Sequence, residues 1–218
     1  MSFKIEVWGD KALFTRPELK VERYSYDVIT PSAARGIFEA IYWHPGLSWS
    51  IDKIEVLNEI KFGTIRRNEV NSKMSARNAQ AAMKNNEIFY LNTQDDISQR
   101  ATTYLKDVRY IIEATFSMTK DASPTDNEGK FAAIIERRLT KGQCYHQPYF
   151  GCREFPVAFK LAQPLEPSSG YYYEEPEKDL GIMLYDMDYT NRENITPMFF
   201  RVVMRNGIID VRKSEVLR

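Results

Sequence analysis

The sequence predicts an α+β fold: a βαββαβ unit over residues 1–150, then a small antiparallel β-sheet domain over residues 151–218. Three observations predict it. Apolar residues alternate with polar ones in several separate stretches, the period of half-buried strands. Two segments carry apolar stripes at helical spacing between start and stop signals. The last third is strand-rich and contains Asn206-Gly207, a strong tight-hairpin signal.

The first strand is FKIEVWGDKALFTR, where Phe3, Ile5 and Val7 alternate with Lys4, Glu6 and Trp8. PELKVERYSYDVI is mixed and reads as a long connection. Thr30-Pro31 then supplies an N-cap followed by proline at the first helical position, and the helix runs from about Pro31 to Ile41. A second strand is expected through Ile54, Val56, Ile60 and Phe62. TIRRNEVNSKMSARNAQAAMKNN has little regular pattern and reads as a long hairpin or loop, and EIFYLN as a short strand.

VRYIIEATFSM is a clear strand, with Val108, Tyr110, Ile112, Ala114 and Phe116 on one face. A polar loop follows, and the second helix starts at Asp126 or Asn127, either of which can cap it. Its stripe is Phe131, Ile134, Ile135 and Leu139, and Gly142 is its stop. PYFGCREFPVAFKL returns to strand, and GIMLYDMDY and MFFRVVMRNGIIDV complete the β-rich tail. To about residue 160 the order is that of a ferredoxin-like fold, which RNA-recognition modules share with many metabolic proteins.

With 218 residues, 43% of them apolar, the chain can bury a real core. Its formal net charge is zero, so no global field draws it to nucleic acid or membrane. Charge is nevertheless uneven. Lys61, Arg66, Arg67, Lys73, Arg77 and Lys84 accompany a single acid, Glu69, whereas seven acids between Glu166 and Asp188 accompany only Lys178. One basic face and one acidic surface are expected, against the plainer reading of scattered charge on a solvated loop. No apolar run approaches membrane-span length and no signal peptide is visible, so a cytoplasmic location is expected. Two cysteines are too few for a disulfide framework.

Phosphate-loop, GxGxxG, HExxH and paired CxxC patterns are absent. Cys144, His146 and Cys152 give three soft ligands where a structural zinc site needs four, so neither a metal nor any cofactor is expected. Lys141, His146 and Arg153 interleave with Tyr145, Tyr149 and Phe150, which suits stacking of bases and neutralisation of phosphates in single-stranded RNA. A loop tucked against the sheet edge explains the same residues.

The helix exit IYWHP is the most pointed feature. Pro45 disfavours helical backbone at His44. In an extended exit, Tyr42 and His44 point to the same side and can form an acid–base pair. The alternative is an aromatic cluster, Tyr42 with Trp43, covering the sheet edge.

Taken together, LFTRPELKVERYSYDVITPSAARGIFEAIYWHP, IRRNEVNSKM, DNEGK, ERRLTKGQ and GCREFPVAF resemble one family in order and over nearly the whole chain. It is the CRISPR-associated endoribonuclease of type I-C (Dvulg) systems, in the RAMP superfamily. The resemblance implies a ferredoxin-like domain with a smaller antiparallel β domain. It implies metal-independent cleavage of CRISPR precursor RNA at the base of the repeat hairpin. It also implies retention of the 5′ handle within a surveillance complex that contains backbone and large subunits, and a peripheral capacity to bind DNA non-specifically.

Carried onto this sequence, the resemblance assigns catalysis to Tyr42 and Lys130. The family's histidine after that lysine is Phe131 here, and the position after IYW, often lysine in the family, is His44. Tyr42 and His44 are therefore expected to share proton transfer while Lys130 stabilises charge and lowers the tyrosine pKa. A binding-only subunit is the alternative that Phe131 raises. Arg66, Arg67, Lys73 and Arg77 are expected to contact RNA phosphates, with Arg35, Lys141, His146 and Arg153 as further RNA-binding candidates.

Overall fold

The computed structural model describes residues 1–19, 21–162, 170–191 and 193–217. The elements are β1 Ser2–Ala12, β2 Arg23–Tyr24, α1 Pro31–Ile41, β3 Leu47–Val56, β4 Lys61–Val70, α2 Ala76–Asn85 and β5 Ile97–Met118, followed by α3 Glu128–Lys141, β6 Ala158–Leu161, β7 Lys178–Asp188, β8 Thr196–Met204, β9 Ile208–Asp210 and β10 Val216–Leu217. The architecture is α+β and mostly antiparallel.

The larger sheet runs β6-β1-β5-β3-β9, with β2 and β4 also paired to β5. Its strands pair antiparallel except β2 with β5. Strands from beyond residue 150 join it at both ends, β6 on β1 and β9 on β3. The smaller sheet runs β10-β8-β7. Ile5, Val7, Ile54, Ile112 and Ala114 of the larger sheet share one core with Ile37, Phe38 and Ile41 of α1 and with Phe131, Ile135 and Leu139 of α3. Among the described residues, no helix is long and apolar enough to cross a membrane.

Both expected helices form where their signals lie. Thr30 Oγ1 accepts from Ala33 N at the start of α1. Asn127, not Asp126, caps α3, its side chain accepting from Lys130 N, and Gly142 closes the helix in the left-handed region at φ 63°.

Four expectations need correction. The strand expected across Ile54–Phe62 is two strands, β3 and β4, interrupted at residues 57–60. Both pair with the one long β5, which turns through a positive φ at Asp107 between its two partners. Tyr172 fills the interruption, its hydroxyl accepting from Ile60 N at 2.9 Å. The segment read as a long hairpin or loop is a hairpin arm as far as Val70, where β4 pairs antiparallel with β5, but the connection contains α2, capped by Ser75; only Ala82 of it is buried, so no apolar stripe marked it. EIFYLN forms no strand, and Ile88 is 92% exposed. PYFGCREFPVAFKL is strand only at β6. Before that it turns around Gly151, where a Cβ would lie 1.9 Å from Leu13 O.

The Asn206-Gly207 turn forms with both residues at positive φ, as a two-residue hairpin requires. The expected acidic surface is largely neutralised. Asp179 and Glu177 pair with Arg201 and Arg205, and Asp186 with Arg35 of α1. Glu166, counted in that surface, lies outside the described residues.

Candidate active site

The exit of α1 is extended at Tyr42 (φ −149°, ψ 116°), as Pro45 leads one to expect. The Tyr42 and His44 rings then meet the same neighbour. Phe131 lies 6.1 Å from the Tyr42 ring and 5.0 Å from the His44 ring, centroid to centroid. Phe131 is fully buried on the first turns of α3, so the helix that carries Lys130 also seats both rings. Tyr42 is 8% exposed, whereas Trp43, pointing the other way, is 60% exposed.

Gly46 fixes His44. Its backbone N–H donates to His44 Nδ1 at 3.0 Å, which leaves Nε2 to carry the proton of the neutral ring. A side chain at position 46 would strike Ala122 at 2.7 Å, so only glycine brings this turn so close. His44 Nε2 faces Asp126 Oδ2 at 3.9 Å.

Asp126 is the residue that sequence reasoning missed in this role. Its side chain is 2% exposed; Oδ1 accepts from Lys130 Nζ at 2.7 Å and Oδ2 from Ser123 N at 2.9 Å. The Lys130 ammonium, then the Ser123 N–H, hold its carboxyl below the usual carboxylate range, and a protonated His44 acts in the same direction. The signal was present in the sequence: Asp126 and Lys130 stand four apart, a spacing at which opposite charges meet across a helix start. The same pair offsets the cost of placing a lysine in a first turn, where the helix dipole disfavours it. Lys130 itself stays half exposed, with 46% of its side chain open to a ligand.

Arg138 was also missed. Its guanidinium lies 5.1 Å from the centre of the Tyr42 ring and donates to Ile41 O at the end of α1. Contrary to expectation, the Tyr42 pKa is raised, not lowered. Burial raises it, and the opposing charges of Arg138 and Lys130 do not outweigh burial together with Asp126. At neutral pH Tyr42 is therefore a protonated phenol, a donor and potential acid, and not a phenolate base.

The candidate binding residues separate into free and engaged groups. Arg66, Lys73 and Arg77, on β4, the link and α2, are exposed. Arg67 points to the opposite face of β4 from Arg66 by strand alternation, and Glu154 takes its guanidinium at 2.7 Å. Arg35 pairs with Glu39 and makes two hydrogen bonds to Asp186, tying α1 to β7. Lys141, His146 and Arg153 are exposed around the loop after α3.

The family described as CRISPR-associated protein (Cas_Cas5) matches residues 2–212. The chain belongs to this family. Among curated relatives, the CRISPR pre-crRNA endoribonuclease Cas5d of Mannheimia succiniciproducens is 49% identical over 212 residues, covering 95% of this chain and 93% of the relative. The protein of the same name from Thermus thermophilus is 38% identical over 228 aligned residues, covering 95% and 90%. A crystal structure described as a CRISPR-associated protein superposes with a TM-score of 0.72 at 26% identity, covering 100% of this chain and 97% of the other. A functionally uncharacterised Streptococcus mutans protein shares the fold, with a TM-score of 0.70 at 24% identity over 100% and 97% of the two chains. Within the Cas5 family, then, this chain carries an imidazole at the α1 exit and a phenylalanine at the start of α3.

These placements sharpen the expectation for binding. Neutralising Arg66, Lys73 and Arg77 together should flatten the dependence of log affinity on log salt by roughly 2, at about 0.7 per phosphate contact on single strands. Neutralising Arg67 alone should change the slope far less, because Glu154 already occupies it. Filter binding of repeat RNA across a salt series reads both, and an unchanged slope in the triple variant contradicts the assignment.

Proposed function

We propose that this protein is a metal-independent endoribonuclease that cuts CRISPR precursor RNA at the base of the repeat hairpin. It then keeps the 5′ handle, as a cytoplasmic subunit of the type I-C surveillance complex beside the backbone and large subunits. The convergence of His44 and Lys130 on the shielded Asp126, with Tyr42 seated beside His44 on Phe131, carries this reading, and two relatives named as pre-crRNA endoribonucleases support it along 95% of the chain. Residues 1–150 supply these groups. The order β6-β1-β5-β3 with α1 and α3 as crossovers supports reading the larger sheet as ferredoxin-like.

The chemistry follows from the geometry. The ribose 2′-hydroxyl attacks the adjacent phosphate and the 5′-oxygen leaves. Lys130, anchored by Asp126, binds the non-bridging oxygens and stabilises the phosphorane charge. Tyr42, kept protonated by burial, gives its proton to the departing 5′-oxygen. His44 enters as an Nε2–H donor. To take the 2′-hydroxyl proton its ring must give up the Gly46 bond, a cost of about 1 kcal/mol. The exposed bases Arg66, Lys73 and Arg77 also suit weak, non-specific DNA binding.

Tyr42→Phe tests the assignment, since it removes one hydroxyl and keeps the buried ring. Cleavage should fall roughly 10²–10⁴-fold with RNA affinity within a few-fold of the parent. Equal cleavage would remove Tyr42 from the chemistry. One observation favours a second reading, a binding-only subunit: Phe131 is fully buried, so α3 offers no imidazole to the site. Tight binding with no cleavage under any condition is its signature.

A further inference from the structure

Trp43 faces away from Tyr42 and His44, into a cavity of about 530 Å³ on the opposite side of the α1 exit. Ser32, Ala33, Gly36, Glu39 and Ala40 of α1 form its floor, with the Glu39 carboxylate taken by Arg35, and Trp43, Tyr145, His146, Tyr149 and Gly151 its rim. The rim is built, not incidental. Tyr145 N and His146 N both donate to Ala40 O, at 2.9 and 3.3 Å, so the loop after α3 is pinned across one of the free carbonyls that end α1. Tyr145 and Tyr149 remain 79% and 37% exposed, so the pinned loop backbone presents aromatic rings to solvent.

Gly36 points the same way. Glycine is the least favourable helix-interior residue short of proline. Close packing often explains such a glycine, but a Cβ added at Gly36 would meet nothing within 4 Å. Gly36 is exposed, and its missing side chain leaves this part of the cavity floor open.

We propose that this cavity is a nucleobase site for an unpaired nucleotide next to the scissile phosphate, a subsite that rests on the RNA-processing reading above. Flat aromatic walls suit the faces of a base and accept any base by stacking. The volume falls within the range of small-ligand pockets. Trp43 lies between Tyr42 and His44 in the chain, so an RNA strand that crosses the α1 exit passes from the Tyr42 and His44 side to the cavity side, with a phosphate on one and a nearby base on the other. A peptide segment of a partner subunit is the competing occupant. The exposed aromatic rim and the place of Trp43 in the chain between Tyr42 and His44 favour the base.

The test combines Gly36→Leu, which fills the floor with a better helix former, with repeat RNA made abasic at one nucleotide at a time. Gly36→Leu should melt no lower than the parent and bind intact repeat RNA roughly ten- to hundred-fold more weakly. One abasic position near the cut should weaken parental binding by a similar factor, and for that RNA Gly36→Leu should cause no further loss. Trp43→Ala should give the same pattern. Parent-like binding of intact RNA by both variants, or losses that add at every abasic position, overturns the proposal. So does parent-like RNA binding by Gly36→Leu with failed assembly onto partner subunits, which assigns the cavity to a peptide. A parent protein that binds no repeat RNA overturns the RNA-processing reading itself and is distinguishable from all of these.

Discussion

Replacing His44 with alanine should slow cleavage of repeat RNA by roughly 10²–10⁴-fold, the range for loss of a positioned proton-transfer group. The structure gives reasons to expect a specific effect. His44 shares Phe131 with Tyr42, accepts from Gly46 N through Nδ1, and directs Nε2 towards the Asp126–Lys130 pair. Single-turnover kinetics at saturating enzyme separate the chemical step from binding, and affinity should change only a few-fold. His44→Asn is the informative companion, because its side-chain oxygen can still accept from Gly46 N while it cannot exchange a proton at neutral pH. Restored backbone geometry with a slow rate supports a chemical role. A parental rate in the alanine variant removes His44 from the chemistry.

Phe131→Ala should cost about 3–5 kcal/mol of stability, the range for truncating a buried aromatic side chain. Phe131 is 0% exposed and packs against Tyr42, His44 and Phe116. Total stabilities of about 5–15 kcal/mol make this a large fraction. Thermal unfolding should show a fall of order 10 °C. Cleavage should fall as well, since both site rings lose the surface that seats them. Phe131→His should also destabilise, because it places a polar ring at a fully buried position. A loss below 1 kcal/mol for Phe131→Ala would show that the rings are held by something other than this contact.

Sequence alone carried the helices furthest, because their signals are local. Thr30-Pro31, Asn127 and Gly142 each act within one turn, and each sits where the helix starts or stops. The strands were less legible where pairing is decided by a distant partner. β4 exists because β5 continues past Asp107 to meet it, which nothing within Lys61–Val70 announces. EIFYLN has strand composition but no strand to pair with. At the site, Pro45 made the extended exit readable and so placed Tyr42 and His44 on one side. Asp126 was hidden by its second possible role as a helix cap, which Asn127 takes instead. The raised Tyr42 pKa was hidden because burial is a tertiary property, and Lys130, the cation named from sequence, does not outweigh it even with Arg138 beside it.

The most direct test of metal-independent processing uses the organism's own repeat hairpin RNA, labelled at its 5′ end and incubated with the protein in excess EDTA. The site chemistry predicts one cut at the base of the hairpin, with a 2′,3′-cyclic phosphate on the upstream fragment. RNA that is bound tightly but left intact, or cut only when a divalent cation is restored, would contradict it.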